Sequence, residues 1–161
     1  MNAMKMPASL EKIKLRPLMT LSVDVDDIRM TGGPDGAKQQ IASLTGGAFW
    51  GNRLSGSVRP GGSDWLTLRG DGATLINARI VLSVASGGEI AMRYTGIRHG
   101  PDDIMKRLGR GEVVDPASYY FRIQPSFATS SPQFDWLNRV VALGIGHRLP
   151  GGPVYNIFEV L

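Results

Sequence analysis

The sequence predicts an all-β chain folded as a closed, mainly antiparallel β-barrel of about eight to nine strands with one short helix. Three observations carry that expectation. The 161 residues include 21 glycines and 10 prolines, together about 19% against a usual total near 12%, so turns are frequent and long helices are disfavoured. From Leu15 onward short apolar runs alternate with glycine-rich breaks, the spacing of an antiparallel meander. Within several runs apolar and polar side chains alternate with the period of two that belongs to a strand.

In chain order the candidate strands are residues 17–25, 40–44, 53–58, 64–69, 74–84, 89–95, 118–124, 140–147 and 154–160. Gly70-Asp71-Gly72 and Ser86-Gly87-Gly88 are expected hairpin turns, because glycine reaches positive φ without steric cost. The segment Pro101 to Leu108 is the one expected helix, with proline first, Asp102 and Asp103 in the opening turn, basic residues late and Gly109 as the stop. Trp136-Leu137-Asn138, after Pro132, is expected to form a helical turn that plugs or lids the barrel, with Asn138 available to cap it. Residues 1–14 read as a flexible N-terminal extension and 15–161 as a single barrel domain, a size that can bury a core without staples. The Gly144-Ile145-Gly146 run lacks the strand-then-helix setting of a dinucleotide fingerprint and reads as a strand kink.

Composition narrows the chemistry. There is no cysteine, which excludes disulfides, thiolate nucleophiles and cysteine-held metals, and two histidines leave little for a histidine-rich site. No metal or cofactor is expected. The cytoplasm is the expected compartment, since the N-terminus lacks the apolar core of a secretory signal and no run approaches a membrane helix. The formal charge is +4, but the arginines fall singly, at Arg53, Arg79, Arg98, Arg122 and Arg148 among others, whereas nucleic-acid binders gather them on one face. A nucleic-acid partner is not expected. Guanidinium forks scattered through strands suit internal ion pairs or an anionic ligand. His99 and His147 have no neighbouring partner in sequence and read as structural or exposed.

Splitting strands by parity separates an apolar face, Ile76, Ala78, Ile80, Leu82 and Val84, from a mixed one, Leu75, Asn77, Arg79, Val81 and Ser83. The same division sets Leu66 and Leu68 against Trp65, Thr67 and Arg69, and Tyr119, Phe121 and Ile123 against Tyr120, Arg122 and Gln124. Parity admits two arrangements: the mixed face is the wet exterior, or it lines an internal cavity while the apolar face packs outward.

The run from Gly46 to Trp65, ending in Pro60-Gly61-Gly62-Ser63-Asp64-Trp65, and the later Tyr119-Tyr120-Phe121-Arg122 with Pro125, Phe127, Thr129, Pro132 and Trp136-Leu137-Asn138 resemble the two signatures of a bacterial family. It is the uncharacterised protein family 0311, also called domain of unknown function 3237, and the resemblance runs from Leu15 to Val160. It implies a single-domain β-barrel and no particular activity. Trp65, Asn77, Arg79, Tyr120 and Arg122 stand at its motif positions. Their shared mixed face therefore becomes the expected lining of an internal cavity. Asn77 replaces a usual aspartate and Ala128 a usual glutamate, which puts any chemistry of those carboxylates in doubt here.

The resulting expectation is a barrel that binds a small anionic organic molecule, with room for an aromatic ring, through Trp65, Asn77, Arg79, Tyr120, Arg122, Trp136 and Asn138. The alternative is a cofactor-independent acid/base enzyme (an isomerase, cyclase, dehydratase or lactone hydrolase) in which Asp64 moves the proton. A third arrangement is a structural, oligomer-forming barrel with no ligand. A homo-oligomer is expected where the apolar face is buried between subunits.

Overall fold

The structure, a computed structural model, describes residues 4–34 and 36–161. Nine strands follow one another as β1 (Leu15–Met30), β2 (Lys38–Trp50), β3 (Ser55–Val58), β4 (Gly62–Leu68), β5 (Thr74–Val84), β6 (Glu89–His99), β7 (Tyr120–Ala128), β8 (Ala142–Leu149) and β9 (Gly152–Val160), with helix α1 (Asp102–Gly109) between β6 and β7. All pairings are antiparallel, in the order β1-β9-β8-β7-β6-β5, and β1–β2 pairing closes the ring. Segments β3 and β4 occupy successive stretches of the single gap between β2 and β5. The result is a closed antiparallel barrel with eight places for nine strands. Closure gives every strand a partner on both sides over at least part of its length, while β1 beyond Ser22 is paired along its length with β2 alone.

Local sequence accounts for most of this. Gly72 (φ +87°), Gly87 (φ +105°) and Gly88 (φ +94°) sit in the two expected hairpin turns. Pro60 and Gly61 (φ +103°) break β3 from β4 without ending the barrel place they share. Strands β1 and β2 run well beyond the expected 17–25 and 40–44. The acidic stretch Asp24 to Asp27 and the pair Gly46-Gly47 look like breakers, yet they pair with each other across two register shifts, and such bulges keep a ladder going past irregular residues. Residues 1–3 of the expected flexible extension lie outside the described residues; residues 4–14 are exposed and include a short 3₁₀ turn, Ala8–Leu10. Among the described residues no helix is long and apolar enough to cross a membrane.

The core fills the barrel. Leu21, Leu44, Phe49, Ile76, Ala78, Ile80, Leu82, Ile90, Met92 and Ile157 are all at most 3% exposed. The expected inversion of the faces is therefore overturned: the apolar parity points inward and the mixed parity outward. Burying large aliphatic side chains is worth roughly 1.5–3 kcal/mol each, and an outward apolar face forfeits that gain. The apolar face is thus not available between subunits. Gly144 and Gly146 also differ from the expected kink. Both are buried in extended strand, and a Cβ at either would strike Ile123 or the Phe121 ring, so they make room for interior side chains of β7.

The two ends of the barrel differ. One end is stoppered by the 3₁₀ segment Pro132–Arg139, which buries Phe134 and Leu137, as the expected plug requires. Beside it Glu159 accepts hydrogen bonds from Arg16 (2.9 Å) and Arg53 (2.5 Å). At the other end converge the last residues of β4, β6 and β8, the first of β5 and β9, and helix α1, leaving an open mouth.

Candidate functional site

The mouth holds a cavity of about 400 Å³, at the small end of the range for organic ligands. Its wall is mostly apolar, with Leu66, Ile76, Phe121 and Met105 among its members, and its polar groups are Gln40, Asp64, Arg69, Thr74, Arg98, Arg148 and Tyr155, with Lys106 from helix α1. The polar residues arrive there by parity. Asp64 shares its face with Leu66, Arg98 continues the inward series Ile90, Met92, Tyr94, Gly96, and Arg148 continues Ala142, Gly144, Gly146.

Asp64 is buried at 8% exposure, and its Oδ1 accepts the Asn77 backbone N–H at 3.1 Å. Withdrawal from water raises its pKa to about 6, against the lowering pull of that hydrogen bond and of the charges on Arg98 and Arg148. Among the described residues no arginine nitrogen lies within 4.0 Å of Asp64, so it has no salt bridge. Burial also lowers the pKa of both arginines, and for Arg98 the like charge of Arg148 adds to it. The Arg98 Nε is sealed from solvent with no hydrogen-bond partner, and its guanidinium carbon lies 5.3 Å from the Phe121 ring centre. Arg148 donates to the Leu149 carbonyl, and its own backbone N–H donates to the Tyr119 hydroxyl at 2.8 Å.

Beneath these charges lies an aromatic floor. Tyr155 packs edge-on against Tyr94 and Phe121, each at 5.4 Å between ring centres. Both phenols are driven upward in pKa, first by burial, so they stay neutral at physiological pH. The Tyr94 hydroxyl is sealed from solvent and has the Tyr155 phenol as its polar neighbour.

The raised Asp64 pKa has a stability consequence with a definite sign. An acid whose folded pKa exceeds its unfolded value of 3.8 contributes stability that is whole below the unfolded pKa and is lost as pH rises through the folded one. For a change from 3.8 to about 6 that loss is about 3 kcal/mol. Asp64→Asn is expected to be more stable than the parent above pH ~7, with the decline between pH ~4 and ~6 removed. Urea unfolding across that window checks it, and a parent curve without the decline refutes it.

The expected ligand-binding residues lie elsewhere. Trp65 (54% exposed) and Tyr120 (44% exposed), with Asn77 and Arg122, line an open groove of about 990 Å³ on the outer face of the sheet. Arg122 spans the Tyr120 ring at 4.6 Å and donates to the Phe121 carbonyl. Arg79 is exposed on a separate concavity with Arg59, Glu89 and Arg93. The internal cavity assigned to these five residues is corrected on the physical ground given above, since the larger apolar parity takes the interior. Trp136 lies beneath the Arg53 guanidinium at 4.2 Å, at the stoppered end. Asn138 is exposed and ties the plug to β7 by accepting from the Thr129 N–H and donating to its carbonyl. Neither reaches the mouth. Asp64 alone of the expected site residues lines it, while sequence reasoning missed Arg98, Arg148, Tyr94 and Tyr155. Carrying the parity of β6 three residues past its expected end, and that of β8 one residue past, would have placed both arginines on the core face.

His99 lies beside the Tyr120 ring, 5.1 Å between centres, and His147 contacts the Val114 carbonyl at 3.3 Å. Among the described residues no three histidine, aspartate or glutamate side chains cluster to hold a metal.

Residues 13–160 match the family model described as "Protein of unknown function (DUF3237)". The chain is 29% identical over 153 residues to a UPF0311 protein of Clostridium acetobutylicum, covering 94% of this chain and 97% of that one. It superimposes with a TM-score of 0.90 on a conserved protein of unknown function from Rhodopseudomonas palustris, at 28% identity and covering 93% of this chain and 99% of that one. A β-barrel like protein from Acinetobacter baumannii AYE is 34% identical with a TM-score of 0.82, covering 99% of this chain and all of the other.

Proposed function

This chain belongs to the DUF3237 family of proteins of unknown function, and from that premise we propose that it binds a small organic anion in the mouth of its barrel. One observation carries the proposal. Two arginines, Arg98 and Arg148, face a cavity in which Asp64, the sole lining carboxylate among the described residues, pairs with neither. An unpaired guanidinium held away from water is costly, and natural proteins retain such a cost where a ligand offsets it.

The ligand's chemistry follows from the wall. With Asp64 ionised the three groups sum to a single positive charge, which suits one carboxylate or enolate. The aliphatic and aromatic lining and the cavity's size favour a compact body the size of one ring. The absence of cysteine is in keeping with a cytoplasmic role.

A thermal-shift series with aromatic acids, hydroxy acids, lactones and sugar acids tests this. A true ligand at a hundred times its dissociation constant adds roughly 2.7 kcal/mol. Stabilisation by acids and none by their amides is the expected result. Equal response to an acid and its amide removes the anion from the proposal, and silence throughout removes the ligand.

A further inference from the structure

We propose that the mouth cavity also transforms its anion: Asp64 removes a proton from a carbon adjacent to a carbonyl, and Arg98 with Arg148 holds the enolate oxygen so formed. This rests on the anion-binding reading above and adds a reaction to it.

Three features of the geometry support the step. Asp64 lines the cavity and, among the described residues, uses only Oδ1 in hydrogen bonding; its Oδ2 has no partner among them, yet is not one of the sealed atoms without one, so it remains open to the cavity. The other buried carboxylate, Glu159, is spent on Arg16 and Arg53 at the stoppered end. Arg98 and Arg148 are not neutralised by any carboxylate within 4.0 Å among the described residues, so their charge is available where negative charge develops. Donors held in place before the reaction need no reorganisation at its moment.

The electrons balance without a further reagent. The carbon–hydrogen bond breaks, its pair forms the carbon–carbon double bond, the carbonyl π pair moves to oxygen, and the proton rests on Asp64 Oδ2. Return of the proton to the same carbon, or to a conjugated one, restores the carboxylate and yields exchange, racemisation or double-bond migration. The substrate class is therefore a small carbonyl acid with an acidic carbon–hydrogen bond.

The charges and titratable groups around Asp64 are Arg98 and Tyr94 from β6, Arg148 from β8, Tyr155 from β9 and Tyr119 before β7. Lys106 and Arg69 on the cavity wall are committed to Asp102 and Asp71. Burial places the Asp64 pKa near 6, where a base works efficiently at neutral pH.

The test is solvent exchange in heavy water, followed by proton NMR, with pyruvate, 2-oxobutyrate, acetoacetate and phenylpyruvate as probes. At least one probe is expected to exchange its α-hydrogens about a hundredfold faster than in buffer, with a rate that rises through the Asp64 titration and then levels. Asp64→Asn, whose fold is checked by its melting curve, is expected to lose that acceleration while the thermal shift persists. The pH profile of the unaltered protein is an independent readout if the variant misfolds. Stabilisation by a probe without exchange of any of them overturns the reaction and leaves the binding. Exchange that survives Asp64→Asn overturns Asp64 as the base. No stabilisation by any anion overturns both.

Discussion

Gly152→Ala is expected to destabilise the protein by at least about 4 kcal/mol, among the largest effects a single methyl group can have. Gly152 opens β9 at φ +143°, a conformation that residues with a Cβ rarely adopt. The added Cβ would overlap the Val23 carbonyl oxygen and lie 3.2 Å from the Val25 nitrogen. Neither neighbour can yield easily. Val23 is paired in register with Gly47 on β2, where a Cβ would in turn meet the Ser22 carbonyl, and the Val25 N–H donates to the Gly151 carbonyl at 2.9 Å. Gly70→Ala is the control, because Gly70 has no neighbour within 4 Å of an added Cβ and no positive φ; a change within ~0.5 kcal/mol is expected there. Equilibrium urea unfolding of both variants decides the matter, and a loss below ~1 kcal/mol at Gly152 would show that the β8–β9 turn can relax.

Arg98→Met is expected to weaken anion binding by about a hundredfold, and at the same time to stabilise the ligand-free protein by ~1–3 kcal/mol. Methionine keeps much of the length and flexibility of the stem while removing the guanidinium whose Nε is sealed and unpartnered. The contact of Arg98 with the Phe121 ring, at 5.3 Å, offsets ~0.5–2 kcal/mol, a part of the cost of confining the charge. Stability and affinity should therefore move in opposite directions. Melting curves with and without the best acid from the thermal-shift series provide both numbers. A variant that is less stable yet binds unchanged would make Arg98 a structural cation and leave Arg148 to account for any anion.

Both expectations concern the mouth, and the mouth is where sequence and structure part company. The strands were legible because each carries its own evidence. The Leu75 to Val84 alternation, the glycines at 72, 87 and 88, and the Pro101-Asp102-Asp103 helix start are local signals read by local rules. All nine strands and the helix stand where the sequence places them, within shifts of their ends. Their ends were harder to read, since β1 and β2 are prolonged by pairing across bulges that neither strand announces alone.

Site residues followed the opposite course. Trp65, Asn77, Tyr120 and Arg122 share motif positions and a strand face, and the structure gathers them on the outside of the sheet. Asp64, which the sequence offers as the proton-moving carboxylate, does reach the cavity. Arg98 and Arg148 lie just past the expected strand ends, single charges closing apolar series, one strand apart from each other around the ring and 50 residues apart along the chain.

By itself the sequence determined that the chain is a set of short antiparallel strands, that each strand has two unlike faces, and that one stretch is a helix. Only the closed barrel decided which face is inside and which charges meet. The reason is physical: strand periodicity and turn geometry are set by neighbours a few residues apart, whereas the sign of curvature, and hence the interior, is set by the summed burial of apolar surface around the whole ring. That same closure brings Asp64, Arg98 and Arg148 to one mouth, burying the carboxylate and partly withdrawing the two guanidiniums from water.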